Sequence, residues 1–361
     1  MRLKQTILRV AKATGAFALV RESAWRRKRL LILCYHGVSM DDEHEWSPTL
    51  YITQERLRER LRALRDGGYN ILPLDEAVRR VYDGTLPPRS IALTFDDGAT
   101  DFGARAVPVL REFNAPATLY LTTYYCEHRL PVFDTMLSYV LWKGRASGGD
   151  VAGVCGSPTP MLVASASERQ QTLKALKEVA ARERMSGDDK DVLIARVAGV
   201  LGVDYAALQA RGTLGIMSPA RVRELPADLV DVQLHTHRHR TPRDRSMFVR
   251  ELRDNTAMIQ ELRGPRALTH FCYPSGDYHG SFFAWLRESG VRVATTCVPD
   301  LVNRATEPML VPRFIDTMHQ TPVDFESWTS GFAALLPKRR AYQIDQTRLV
   351  TPPVAANEAL A

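Results

Sequence analysis

Short strand-like runs that each break off into a polar cluster constrain this chain more than any other feature. Residues 30–34 lead into Tyr35-His36-Gly37, residues 91–95 into Asp96-Asp97-Gly98, and residues 229–234 into His235-Thr236-His237-Arg238-His239. Residues 267–273 lead into Pro274-Ser275-Gly276-Asp277. Such apolar, β-branched runs read as buried strands. Helical patterns separate them. Thr53 reads as the N-cap of a helix with Leu57, Leu61 and Leu64 on one face, closed by Gly67-Gly68. Residues 74–82, 101–113, 246–263 and 282–288 read as further helices, the third with Val249, Leu252, Ala257, Ile259 and Leu262 inward. Asp101, at a helix start, reads as a capping carboxylate with no catalytic role. Strand–helix alternation with polar groups at strand carboxyl ends is what an α/β chain folded as a (β/α) barrel gives, with its site on that face.

The polar clusters carry chemistry. Neighbouring residues at a strand end point different ways, so of Asp96 and Asp97 one can hold a metal while the other takes a proton from water. His235 and His239 stand four apart, a spacing used by His pairs that bind metal. With one carboxylate they make a two-His, one-Asp set that leaves positions open for water and substrate. Such a set suits Zn²⁺, and Co²⁺, Ni²⁺ or Mn²⁺ fit it as well.

Thr94-Phe95-Asp96-Asp97-Gly98 and His235-Thr236-x-x-His239 resemble the first two motifs of the polysaccharide deacetylase family, the carbohydrate esterase family 4 enzymes. Phe271-Cys272-Tyr273-Pro274-Ser275-Gly276 is similar to the Phe-Ala-Tyr-Pro-x-Gly segment of one branch, and Cys34-Tyr35-His36-Gly37-Val38 to the Tyr-His-Gly-Val that opens many of its members. The resemblance implies a distorted (β/α) barrel and a divalent metal used to remove acetyl groups from N-acetylated sugars or glycans. It assigns metal ligation to Asp97, His235 and His239, the general base to Asp96, and an oxyanion-binding backbone N–H to Ser275. Two departures stand out. Cys272 occupies the place of the family's base-orienting Arg, leaving Arg313 as a substitute from another strand end. The Leu-x-His that supplies the usual general acid is not evident. His36, His237 and His319 are candidates, with His36 best placed. Rival readings are an O-acetyl esterase, another non-peptide C–N hydrolase on the same site, or a non-catalytic glycan-binding barrel.

From Asp97 to His235 is 138 residues, more than one helix and two strands need. Residues from about 126 to 217 therefore read as a helical insertion, either capping the barrel mouth or standing off it. Residues 1–29 form a basic leader: nine Lys/Arg and one Glu lie among the first 30 residues, leaving 39 basic and 40 acidic groups in the rest. That balance argues against a broad nucleic-acid surface. The leader is expected to pack as a helix on the barrel, with peripheral contact to the inner membrane face as the alternative. It lacks the uninterrupted apolar core of a signal peptide, and five widely spaced cysteines without a Cys-x-x-Cys pair point to a reducing, cytoplasmic compartment. Residues 30–337 would hold the barrel, and 338–361 a poorly ordered tail.

Overall fold

The computed structural model describes residues 2–128, 132–337 and 344–349. Its main sheet is built of β1 (Leu31–Tyr35), β4 (Asn70–Ile71), β5 (Ser90–Phe95), β6 (Ala117–Leu121), β7 (Val230–Leu234), β8 (His270–Cys272), β9 (Val293–Thr295) and β10 (Phe314–Ile315). All pair in parallel, in the order β10-β1-β5-β6-β7-β8-β9, with β4 also on β5. A small parallel pair, β2 (Gly37–Val38) with β3 (Tyr51–Ile52), follows β1. The two edges of the main sheet nearly meet. Val311 bridges Thr295 of β9, and three residues later Phe314 pairs with Leu33 of β1. One stretch thus joins both edges and curls the sheet into a barrel. The sequence pattern suggests a strand at 310–311; the chain instead makes a 3-10 turn over Pro308–Leu310 and its strand starts at Phe314.

The helices form where their spacing and caps dictate. Thr53 caps Gln54–Asp66 through the Arg56 N–H and buries Leu57, Leu61 and Leu64, while Gly68 turns the chain at φ 67°. Leu74–Asp83 presents Leu74, Ala77, Val78 and Val81 to Leu30, Ile32, Ala92 and Val293, all near strand beginnings, and so plugs the amino-terminal end of the barrel. Phe248, Glu251, Leu252, Asn255, Ile259 and Leu262 are the buried stripe of Arg245–Arg263; Ala257, expected inward, is exposed.

Residues 133–214 add helices with a core of their own, including Leu137, Val140, Leu176, Ile194 and Leu208. This part rests on the barrel's site end. Trp46 Nε1 donates to Ser138 Oγ at 3.3 Å and Lys143 pairs with Asp42 at 2.7 Å. Where the chain returns, Thr100 N–H donates to Gly215 O at 2.8 Å and Met217 N–H to Gly98 O at 3.0 Å.

The leader is three helices, Arg2–Ala13, Ala16–Glu22 and Ala24–Arg27. Leu8, Ala11 and Phe17 are buried with Val323, and Lys4 pairs with Asp324 at 3.1 Å. The Arg26 guanidinium is fully buried and donates to the carbonyls of Thr329 and Arg29. The leader's apolar face is thus spent largely on the body, with Ile7, Val10 and Leu19 outside, and the lipid alternative finds no support in this packing. Among the described residues no helix is long and apolar enough to cross a membrane. Of the tail, residues 344–349 pack beside the loop after β8, where Asp345 N–H donates to Tyr278 OH at 2.6 Å and Arg348 pairs with Asp277 at 3.2 Å. The rest of 338–361 lies outside the described residues. Because Leu8 is fully buried, Leu8→Ala is expected to lower unfolding free energy by about 2–5 kcal/mol in a denaturant titration; an unchanged midpoint would contradict the packed leader.

Candidate active site

Asp96 and Asp97 leave β5 in opposite directions. Asp96 points into the barrel and is buried, its own N–H donating to Tyr35 O at 3.0 Å. Asp97 takes φ 72°, a left-handed conformation costly for a residue with a Cβ, and faces the opening. Gly98 follows at φ 87°, where a Cβ would overlap Leu121 Cδ1. The Asp-Asp-Gly order is what lets two carboxylates separate within one turn.

Asp97 meets both imidazoles. Its Oδ1 lies 3.2 Å from His235 Nε2 and 3.2 Å from His239 Nε2. His235 Nδ1 lies 2.9 Å from Cys272 O, so its Nδ1–H donates to that carbonyl and its Nε2 lone pair faces Asp97. Two acceptors turned toward each other need a proton or a cation between them. The donor set therefore fits a divalent ion, and Asp97, His235 and His239 are one of three groups among the described residues that could hold one. The others are Cys34, His36, Asp96 and Asp96, His235, Cys272. Both use Asp96, whose oxygens are already taken. Partial burial raises the Asp97 pKa, but the hydrogen bonds to His235 and His239 outweigh it and hold the carboxyl well below its usual range. Burial lowers the His235 pKa, yet Asp97 and Asp96 carry it above its ordinary value.

Asp96 is clamped by Arg313. Nη1 donates to Oδ1 and Nη2 to Oδ2, each at 2.7 Å, and both side chains are buried. Arg313 Nε also donates to Thr296 O and Nη1 to Thr94 Oγ1, both at 3.1 Å. The substitution inferred for Arg313 thus has the required geometry: the guanidinium comes from the closing stretch rather than from the third motif. Cys272 is more than small filler, since its Sγ lies 3.4 Å from Asp96 Oδ2, and Cys34 Sγ lies at 3.7 Å. Burial raises the Asp96 pKa, but the charge and hydrogen bonds of Arg313 bring it down to about 2.

His36, at the end of β1, places Nε2 3.8 Å from Asp96 Oδ2. His237 is turned away, its Nδ1 2.9 Å from Thr123 Oγ1, and His319 is exposed on a turn. Ser275 is exposed in the turn Pro274–Gly276 at φ 56°, directly after the residue that follows β8. Asp101 makes no side-chain cap. It is buried and accepts the Val38 N–H at 2.9 Å, and burial pushes its carboxyl up to about 7.

Comparisons with known proteins agree with this geometry. A profile described as polysaccharide deacetylase matches residues 83–148, which include the Asp pair. The Escherichia coli poly-beta-1,6-N-acetyl-D-glucosamine N-deacetylase is 30% identical over 102 residues, 28% of this chain and 15% of that protein. The Streptococcus pyogenes deacetylase PplD, solved with acetate, superposes with a TM-score of 0.54 at 16% identity, covering 86% of this chain and 99% of that one. IcaB from Ammonifex degensii superposes at 0.51 and 19% identity over 84% and 97%. Over residues 83–148 the chain resembles the polysaccharide deacetylase family. The fold is that of the polysaccharide deacetylases over most of the chain, whereas the matched sequence spans a small part of the E. coli relative.

The sequence pattern does not single out Asn255 and Glu251, which hold the His-bearing loop. His235 N–H donates to Asn255 Oδ1 at 3.0 Å and Arg238 N–H to Glu251 Oε2 at 2.8 Å. The signal was two polar residues on the stripe of Phe248, Leu252, Ile259 and Leu262, at helical spacing.

The Asp96–Arg313 pair sets a pH dependence. Because the folded pKa of Asp96 lies below its unfolded value, its contribution is present above about pH 4 and lost as pH falls toward 2. Arg313→Ala leaves a buried carboxylate unpaired and is expected to cost about 3–5 kcal/mol at pH 7. The difference from wild type should shrink in acid as Asp96 takes a proton. Denaturant melts across that range test this; a cost independent of pH would contradict it.

Proposed function

We propose that this chain is a metal-dependent hydrolase removing N-acetyl groups from an amino-sugar or polysaccharide substrate. The observation that carries the reading is the meeting of Asp97, His235 and His239 around one point, with the ionised, Arg-clamped Asp96 beside it. Asp97 and the two Nε2 atoms would hold a divalent ion, Zn²⁺ being the best suited to two imidazoles and a carboxylate. When bound, such an ion polarises an acyl oxygen and lowers the pKa of water to near 7.

The chain's own groups supply the rest. Asp96 accepts the proton of the attacking water; Arg313 aims its oxygens and keeps it ionised. A carboxyl with a pKa of about 2 does not retain that proton, and His36, 3.8 Å away, passes it to the leaving amine. The family resemblance gives the backbone N–H of Ser275 the role of holding the developing oxyanion. That an N-acetylated glycan is the substrate draws support from the E. coli relative, whose name states that activity. A family resemblance alone would leave O-acetyl esters open as well.

The test is turnover of N-acetylglucosamine oligomers against O-acetylated oligosaccharides, with metal content read alongside. Asp96→Asn is expected to lower turnover by about 10²–10⁴-fold while retaining the ion. Asp97→Ala is expected to lose both. Equal turnover by wild type and Asp96→Asn would overturn the assignment of the base, and preference for the O-acetylated substrate would overturn the N-deacetylase reading.

A further inference from the structure

The loop that carries both metal-binding imidazoles is held from behind by one face of one helix. On Arg245–Arg263, Glu251 and Asn255 stand four residues apart, so they project on the same side, and both are buried. Asn255 Oδ1 accepts the His235 N–H at 3.0 Å. Its Nδ2 donates to Leu121 O at 3.0 Å and to Thr123 Oγ1 at 2.9 Å. Glu251 Oε2 accepts the Arg238 N–H at 2.8 Å, and its Oε1 takes Arg238 Nη1 at 3.3 Å and Arg240 Nε at 2.7 Å.

The grip spans both sides of the site. Leu121 and Thr123 flank Thr122, whose N–H donates to Asp97 O at 3.2 Å. The same carboxamide therefore ties the backbone of His235 to the end of β6, which in turn bonds the Asp97 turn through Thr122. Thr236, between the two backbone anchors, and His239, directly after the second, sit at φ 61° and 52°. These left-handed conformations are unfavourable for side-chain-bearing residues and persist only where surrounding contacts enforce them. An apolar residue would fill the space of Glu251 without the desolvation that a buried carboxylate carries. Among the described residues its charge is matched by the loop's own N–H and guanidinium groups.

We infer that Glu251 and Asn255 are positioning residues that preset the spacing of Asp97, His235 and His239, so that this helix face governs affinity for the divalent ion. Neither touches substrate or the reacting atoms. The inference rests on the metal-hydrolase reading above. Outer contacts that fix ligand orientation typically change metal affinity by about 10–100-fold when removed.

The experiment is Zn²⁺ binding to the full chain, measured by competition with a chelator of known affinity, with the visible spectrum of the Co²⁺-loaded protein as second readout. Glu251→Ala and Asn255→Ala are expected to weaken Zn²⁺ binding about tenfold or more and to alter the Co²⁺ bands. Turnover at saturating metal should stay within about threefold of wild type. Glu251→Gln keeps an oxygen for the Arg238 N–H and should recover most of the affinity. Folded alanine variants that bind Zn²⁺ as tightly as wild type would overturn the inference, as would lost turnover with unchanged affinity. If the alanine variants do not fold, Thr123→Val, which removes one of the two acceptors of Asn255 Nδ2, decides: weaker binding supports the inference and unchanged binding overturns it. A wild-type chain that binds no divalent ion would instead overturn the hydrolase reading itself, and this inference with it.

Discussion

The rest of the site depends on one buried contact, the two-pronged pairing of Arg313 with Asp96. Arg313 lies between Val311, which bridges β9, and Phe314, which pairs with β1. The residue that helps close the barrel is also the one that neutralises the carboxylate inside it. A lone ionised carboxylate there would be driven to take up a proton. Paired, it stays charged at every working pH and leaves Asp97 free to turn outward. Fold closure and the chemical state of the site are thus the same interaction.

The second constraint is strain placed where it is useful. Among the described residues, eight non-glycine positions have positive φ, and Asp97, Thr236, His239 and Ser275 are four of them. Each such position costs of order 1–3 kcal/mol. The surrounding strand ends, the Cys272 carbonyl and the helix behind the His loop offset that cost by fixing the backbone. The insertion braces the Asp97 turn from the other side, where Gly98 and Thr100 bond to Met217 and Gly215. A site assembled this way is set before any ligand arrives.

Much of this was legible in the sequence, for physical reasons. Buried parallel strands are continuous apolar runs, so β1, β5 and β7 stood out, and chemistry placed at their ends stood out with them. The bounds of the short strands did not. β8 and β9 keep three residues each of longer apolar runs, and β10 has two, too few for a periodic signal. Asp101 was misread because a carboxylate near a helix start looks the same in sequence whether it caps that helix or, as here, bonds a backbone N–H on β2. Asn255 and Glu251 stand out only as polar residues on an apolar stripe, because the His235 N–H, Arg238 N–H and Leu121 carbonyl that they hold carry no sequence signature.

The central claim, that Asp97, His235 and His239 share one ion, is tested most directly by X-ray absorption at the zinc edge of the loaded protein. Two sulfur-bearing alternatives lie within reach, through Cys34 and through Cys272. The account predicts a first shell of nitrogen and oxygen alone at about 2.0–2.2 Å, with imidazole scattering from two rings. A sulfur contribution at about 2.3 Å would put the ion on the thiols and contradict the account.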